Sequence, residues 1–154
     1  MLRRAIVAAA LMLVPCAGLA QTPEDSAAIV ATALDYIEGY YTGDGERMER
    51  ALHPDLAKRV VMTNPTTGES MLRDMTAEQL VGATQMGYGK QVPESERRMD
   101  VTILDIYENA ASVKIMAHEW IDYLHIAKYG EDWVIVNVLW ELTPEAKEKM
   151  AGGG

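Results

Sequence analysis

Residues 133–140 read Trp133-Val134-Ile135-Val136-Asn137-Val138-Leu139-Trp140, and this run decides the architecture. Every position except Asn137 is apolar, and β-branched and aromatic residues dominate, as in a strand. A strand that is apolar on both faces must be covered on both faces. Gly130-Glu131-Asp132 stands just before the run and Trp120 to Tyr129 before that, so the two segments read as a hairpin. Further upstream, Met99 to Tyr107 alternates into a turn at Glu108-Asn109-Ala110, and Ser112 to Met116 continues after it.

The front of the chain reads differently. Thr22-Pro23-Glu24-Asp25 offers a capping hydroxyl, a proline at the first helical position and acids in the first turn. Val30, Ala33, Leu34, Ile37 and Tyr41 then follow at helical spacing, widened by Ile29, Tyr36 and Tyr40, until Gly43-Asp44-Gly45 stops the helix. A short second helix spans about Glu46 to Leu52 and ends at His53-Pro54-Asp55. Lys58 to Thr63 predicts a strand, Asn64 to Gly68 a turn, and Ser70 to Arg73 a returning strand. Thr76-Ala77-Glu78-Gln79 matches a capping box and opens a third helix, which Gly87, Gly89 and Pro93 end. Lys90 to Arg98 predicts a charged loop. Helices first and a long antiparallel sheet afterwards is an α+β order. Three helices shelter one sheet face. A second copy of the same sheet is the economical cover for the other, which predicts a homodimer through the outer sheet face.

The chain has 154 residues, enough for one domain. Arg3 and Arg4, the apolar run Ala5 to Val14 and the small residues Gly18-Leu19-Ala20 have the three-part layout of a secretory signal. Pro15 cuts the run short of a membrane span. The reading is therefore a signal at 1–20, a domain at 21–143, and a short helix with a loose tail at 144–154. The expected location is the periplasm or the outside of the cell, with no membrane attachment after cleavage. A lipoprotein reading of Cys16 meets Pro15 where an acylation motif wants Gly, Ala or Ser. Cleavage after Ala20 removes Cys16, the single cysteine, and leaves no disulfide or thiolate site. It also removes two positive charges from a chain already at −9. So acidic a surface argues against phosphate backbones, and nucleic acid is not an expected partner. Phe is absent, and 7 Tyr, 3 Trp and 10 Met supply the bulk, which suits a lined cavity as well as a core.

Four blocks carry a resemblance: Asp35 to Asp44 (DYIEGYYTGD), Leu52-His53-Pro54-Asp55, Ile121 to Ile126 (IDYLHI) and Trp133 to Trp140. Together, over about residues 25 to 142, they resemble the nuclear-transport-factor-2-like superfamily. The nearest likeness is to its bacterial subgroup named putative lumazine-binding, which is similar to the polyketide-cyclase-like and ketosteroid-isomerase-like branches. The resemblance implies a cone: a strongly bent antiparallel sheet wrapped on three N-terminal helices, a conical pocket between them, and a dimer that covers the outer sheet face. The subgroup's name implies a ligand. The reading adopted is a small apolar or aromatic molecule with no cofactor, against two alternatives: an isomerase or cyclase, and a structural or protein-interaction dimer whose pocket is filled by its own side chains. The superfamily hosts enzymes, binders and transport factors on one scaffold, so the fold alone does not choose among them.

Laid on the steroid-isomerase pattern, Tyr36 falls at the oxyanion-binding tyrosine and Asp122 at the protonated aspartic acid that shares its task. The carboxylate base of that pattern falls near Arg59 to Met62, where this chain has no acid. His53 stands as an alternative base or as a residue fixing the turn after the second helix. Trp120, Leu124 and Ile126 share Asp122's face by alternation, with Trp120 either stacking on a flat ligand or packing in the core. Asn137, the one polar group in the apolar run, needs a partner in a ligand or in the backbone. Tyr40 joins these as a pocket residue. The candidate pocket is thus Tyr36, Tyr40, His53, Trp120, Asp122, Leu124, Ile126 and Asn137. His118 falls in the turn Ala117 to Glu119 and His125 alternates onto the face opposite Asp122, so no metal site is expected.

Overall fold

Thr22 caps the first helix through its hydroxyl, which accepts the Asp25 N–H at 3.1 Å. The helix, α1, runs Pro23–Thr42 and closes on Gly43 in the left-handed region at φ 71°. This computed structural model describes residues 22–64 and 66–152; the segment expected as a signal, 1–20, and Cys16 within it lie outside the described residues. After α1 come α2 (Gly45–Ala51), β1 (Leu52–Thr63), β2 (Ser70–Met75) and α3 (Ala77–Gln85). Two short 3₁₀ turns, Tyr88–Gln91 and Glu94–Glu96, break the stretch expected as loop. The chain ends with β3 (Asp100–Tyr107), β4 (Ala110–Met116), β5 (Trp120–Tyr129), β6 (Asp132–Leu142) and α4 (Pro144–Gly152). Both halves of the capping box at Thr76 and Gln79 form.

The strands make one six-stranded curved sheet in the order β2-β1-β6-β5-β4-β3. An all-antiparallel sheet is the sequence expectation, but β1 and β6 run parallel. Parallel neighbours need a long crossover, and here everything from β2 to β5 supplies it. β1 also begins at Leu52, six residues ahead of the expected Lys58, and passes through the His53-Pro54-Asp55 corner. Its register against β6 slips between Leu52 and Ala57. Pro54 falls in that slip, where the ladder asks for no N–H from it.

A second irregularity sorts the apolar run of β6. Pairing with β5 passes from His125↔Asn137 to Ile126↔Ile135, which leaves Val136 as an extra residue. The alternation therefore resets: Trp133 and Ile135 face the helices on one side of the bulge, Val138 and Trp140 on the other. Asn137 and Leu139 turn outward.

Ile29, Ile37, Val113, Ile115, Leu124, Ile135 and Val138 have no solvent exposure and form the centre of the core. Polar clasps hold α1 onto the sheet around it. Asp25 accepts from Lys128 Nζ and from the Trp133 indole, each at 3.1 Å. Thr32 donates to the Trp133 carbonyl at 2.8 Å. The buried Tyr41 hydroxyl donates to the Arg98 carbonyl at 3.2 Å and accepts the His118 N–H at 3.0 Å.

Two glycines test this packing. A Cβ on Gly89 would run into the main-chain carbonyl of Tyr40, while one on Gly82, inside α3, would meet open space. Gly89→Ala is expected to lower stability by about 1–3 kcal/mol through overpacking. Gly82→Ala is expected to raise it by about 0.5–1 kcal/mol through helix propensity. Urea unfolding midpoints of the two variants against the parent check both signs.

Candidate functional site

The helices do not fill the cone. Between α1, α3 and the inner sheet face lies a cavity of about 360 Å³. α1 supplies Tyr36, Ile37 and Tyr40 to its wall; α3 supplies Leu80 and Ala83, and β2 ends in it with Met75. The start of β5 and the end of β6 bring Trp120, Trp140 and Leu142, while Tyr88 and Glu119 stand at its rim. Tyr40 and Trp120 meet edge to face with centroids 5.6 Å apart.

At the bottom of this aromatic enclosure sits a lysine. β1 and β5 flank β6, so the Lys58 side chain has to cross β6 to reach β5. Its ammonium passes 5.2 Å from the Trp140 ring centroid and ends 2.8 Å from Asp122 Oδ1. It also donates to the Tyr36 hydroxyl at 2.7 Å. The second Asp122 oxygen accepts the Trp120 indole N–H at 2.7 Å. Asp122 has no solvent exposure, and Lys58 retains only 8%. Burial, then the Asp122 charge and the hydrogen bond to it, push the Tyr36 phenol well above its usual value. Tyr40 is raised as well, by burial and then by Asp122. Both stay un-ionised phenols at neutral pH.

Chemically, Asp122 is a carboxylate whose oxygens face an ammonium and an indole N–H. In that setting each oxygen accepts a hydrogen bond. Lys58, Tyr36 and Tyr40 are among the donors on the cavity wall. Glu119 is the one carboxylate among the cavity-lining residues described. The hydrogen bond from Lys149, at 2.8 Å, holds its pKa below the usual carboxylate range against a smaller opposing effect of burial.

The sequence-predicted site residues scatter more widely than expected. Tyr36, Tyr40 and Trp120 line the cavity, and Asp122 lies directly behind Lys58. Leu124 and Ile126 are further along β5 in the core, at 0% and 1% exposure, away from the cavity wall. His53 faces elsewhere: its Nδ1 accepts the Asp55 N–H at 3.1 Å and its ring meets Tyr129 edge-on at 4.9 Å. Asn137 is on the outer sheet face, its Nδ2 3.3 Å from His125 Nδ1, because the Val136 bulge reverses its side. Lys58 is the residue that sequence reasoning missed. Leu56, Lys58 and Val60 are all buried on one side of β1, and that alternation carries the signal: a lysine stands in an apolar series.

The Putative lumazine-binding family model matches residues 24–141. The chain belongs to that family. No functionally curated protein matches the sequence. Among solved structures, this family member is similar to a nuclear-transport-factor-2-like protein of unknown function from Shewanella baltica. That likeness has a TM-score of 0.64 at 20% identity and covers 80% of this chain and 98% of the other. A second such protein of unknown function, from Silicibacter pomeroyi, gives 0.61 at 16% identity over 80% and 99%. A third, from Novosphingobium aromaticivorans and described as having a cystatin-like fold, gives 0.56 at 12% over 81% and 88%. These likenesses establish the cone-shaped α+β fold for this member of the putative lumazine-binding family.

Removing one member of a buried ion pair leaves the other uncompensated. Lys58→Met is expected to cost about 3–5 kcal/mol, and pairing it with Asp122→Leu to recover most of that loss. Thermal unfolding of the two variants beside the parent measures the difference.

Proposed function

We propose that this protein is an exported, homodimeric small-molecule binder that holds a flat, mostly apolar molecule in the cavity between α1, α3 and the sheet. One observation carries the reading: a cavity of about 360 Å³ whose wall is largely apolar, with five aromatic rings, and whose floor holds one buried ammonium. Ligand sites are typically apolar concavities with a few placed polar groups, starting at roughly 300 Å³. The description of the family points the same way.

An isomerase or cyclase of the ketosteroid type is the rival, and the geometry favours it less. It needs a neutral acid at Asp122 to donate to an oxyanion, and a base of matched pKa beside the substrate. Asp122 is paired with Lys58, His53 is outside the cavity, and Glu119 is tied to Lys149.

The dimer is supported by the outer sheet face. Val61 pairs with Leu72 and Tyr123 with Leu139 across neighbouring strands, and their exposures run from 43% to 60%. Arg59, Asp74, Lys114 and Glu141 add both charge signs around that band, as a surface that meets a copy of itself requires. Export rests on the charged, apolar and small-residue layout of residues 1–20. No helix among the described residues is long and apolar enough to cross a membrane.

Native mass spectrometry of the protein recovered from a periplasmic extract tests all three parts. The expected species is a dimer of chains that begin at Gln21, carrying added small-molecule mass. Ala83→Trp, which fills the cavity from α3, should keep the dimer and lose the added mass. Chains beginning at Met1 would refute export, monomers the dimer, and an unchanged added mass in Ala83→Trp the cavity as the binding place.

A further inference from the structure

The floor of the cavity also constrains what kind of molecule it holds. An ammonium has three N–H donors. Asp122 and Tyr36 take two of those on Lys58. The small exposed remainder of Lys58 belongs to the cavity wall. An ordinary hydrocarbon pressed against it would leave a buried N–H without a partner, which carries the full cost of desolvation.

The charge at the floor is already balanced. Lys58 is matched by Asp122 at 2.8 Å, so a ligand carboxylate would bring a second negative charge to a pair that needs none. Glu119 at the rim and the acidic chain as a whole, at −9 before the signal is removed, oppose an anion further. A neutral oxygen acceptor completes the ammonium's donors without adding charge.

From this geometry we infer that the cavity selects an uncharged, ring-bearing carbonyl compound, with the carbonyl oxygen on Lys58 and the ring between Trp120, Trp140 and Tyr40. The inference rests on the binding reading above and names its ligand class. Tyr36 and Asp122 act as positioning residues: they hold the ammonium in place, and the ligand touches Lys58.

Three probes of nearly equal size separate the possibilities: 2-acetonaphthone (neutral carbonyl), 2-ethylnaphthalene (no acceptor) and 2-naphthoate (anion). Their dissociation constants are read from quenching of tryptophan emission, since Trp120 and Trp140 line the cavity. The mature parent is expected to prefer the ketone over each of the others by roughly tenfold, the scale of one hydrogen bond to a charged donor. In Lys58→Met/Asp122→Leu, with its fold confirmed by circular dichroism, the ketone and hydrocarbon should bind alike. Tyr36→Phe keeps the ion pair but removes one of the two groups that hold the ammonium, and should weaken the preference without abolishing it.

Equal binding of all three by the parent, or tightest binding of the naphthoate, overturns the carbonyl assignment and leaves the cavity as a binding site. A preference that survives in the double variant overturns the role given to Lys58, and one left unchanged in Tyr36→Phe overturns the positioning role of Tyr36. If none of the probes binds the parent, or all bind Ala83→Trp equally well, the binding reading falls and the inference falls with it.

Discussion

The ion pair between Lys58 and Asp122 is the constraint around which the rest of the cone is arranged. It spans β6, joining β1 to β5, and through Tyr36 it reaches α1. Such a pair does little for net stability, because the desolvation of two charges consumes much of their attraction. What it does is fix relative positions. The ammonium must lie where Asp122, Tyr36 and the Trp140 face meet, so helix and sheet cannot slide past one another without stranding a charge in an apolar interior. The Trp120 indole, bonded to the far oxygen of Asp122, is aligned by the same carboxylate. One wall of the cavity is therefore set by electrostatics, while Ile37, Leu80 and Met75 set the other by packing.

The Val136 bulge does for the outside of the molecule what the ion pair does for the inside. Without it, strict alternation from Trp133 would send Trp140 to the outer face and Asn137 inward. With it, both β6 tryptophans face the helices, and the outer face keeps Leu139 at 50% exposure beside Tyr123. One extra residue thus supplies an aromatic wall for the cavity and leaves a mixed apolar and charged band outside.

Much of this was legible in the sequence wherever a local rule acts alone. Thr22, Gly43 and the Thr76–Gln79 box mark helix ends by hydrogen bonds within a few residues, and the structure has all of them. The alternation of Trp120, Asp122, Leu124 and Ile126 likewise follows from strand geometry; Asp122, Leu124 and Ile126 are buried and Trp120 is partly so. The reading loses its footing where a non-local pairing intervenes. The parallel β1–β6 ladder extends β1 back to Leu52 and displaces His53 from any cavity role a helix-end position suggested. Asn137 was misplaced because a bulge has no signature in a run where nearly every residue is apolar. Lys58 was overlooked for a different reason: a lone lysine near the start of a strand reads as solvent-facing until the residues on either side of it in the alternation, Leu56 and Val60, are seen to be buried.

The lysine in this layout bears on what chemistry the site can do. A tyrosine and a neutral carboxylic acid together make a pair of donors that strengthen as negative charge grows on a substrate oxygen, which is how such sites lower a barrier. A lysine ion-paired to that acid turns it from donor into acceptor and puts an ammonium in its place. The ammonium's charge is already offset by the carboxylate behind it, which makes it a weaker clamp for a developing oxyanion than an unpaired cation would be. What it offers before any reaction is a hydrogen bond to a bound molecule. Glu119, the one carboxylate among the cavity-lining residues described, is engaged by Lys149 and is not free to take a proton. The binding reading proposed above rests on this arrangement, and the arrangement rests on one residue of β1.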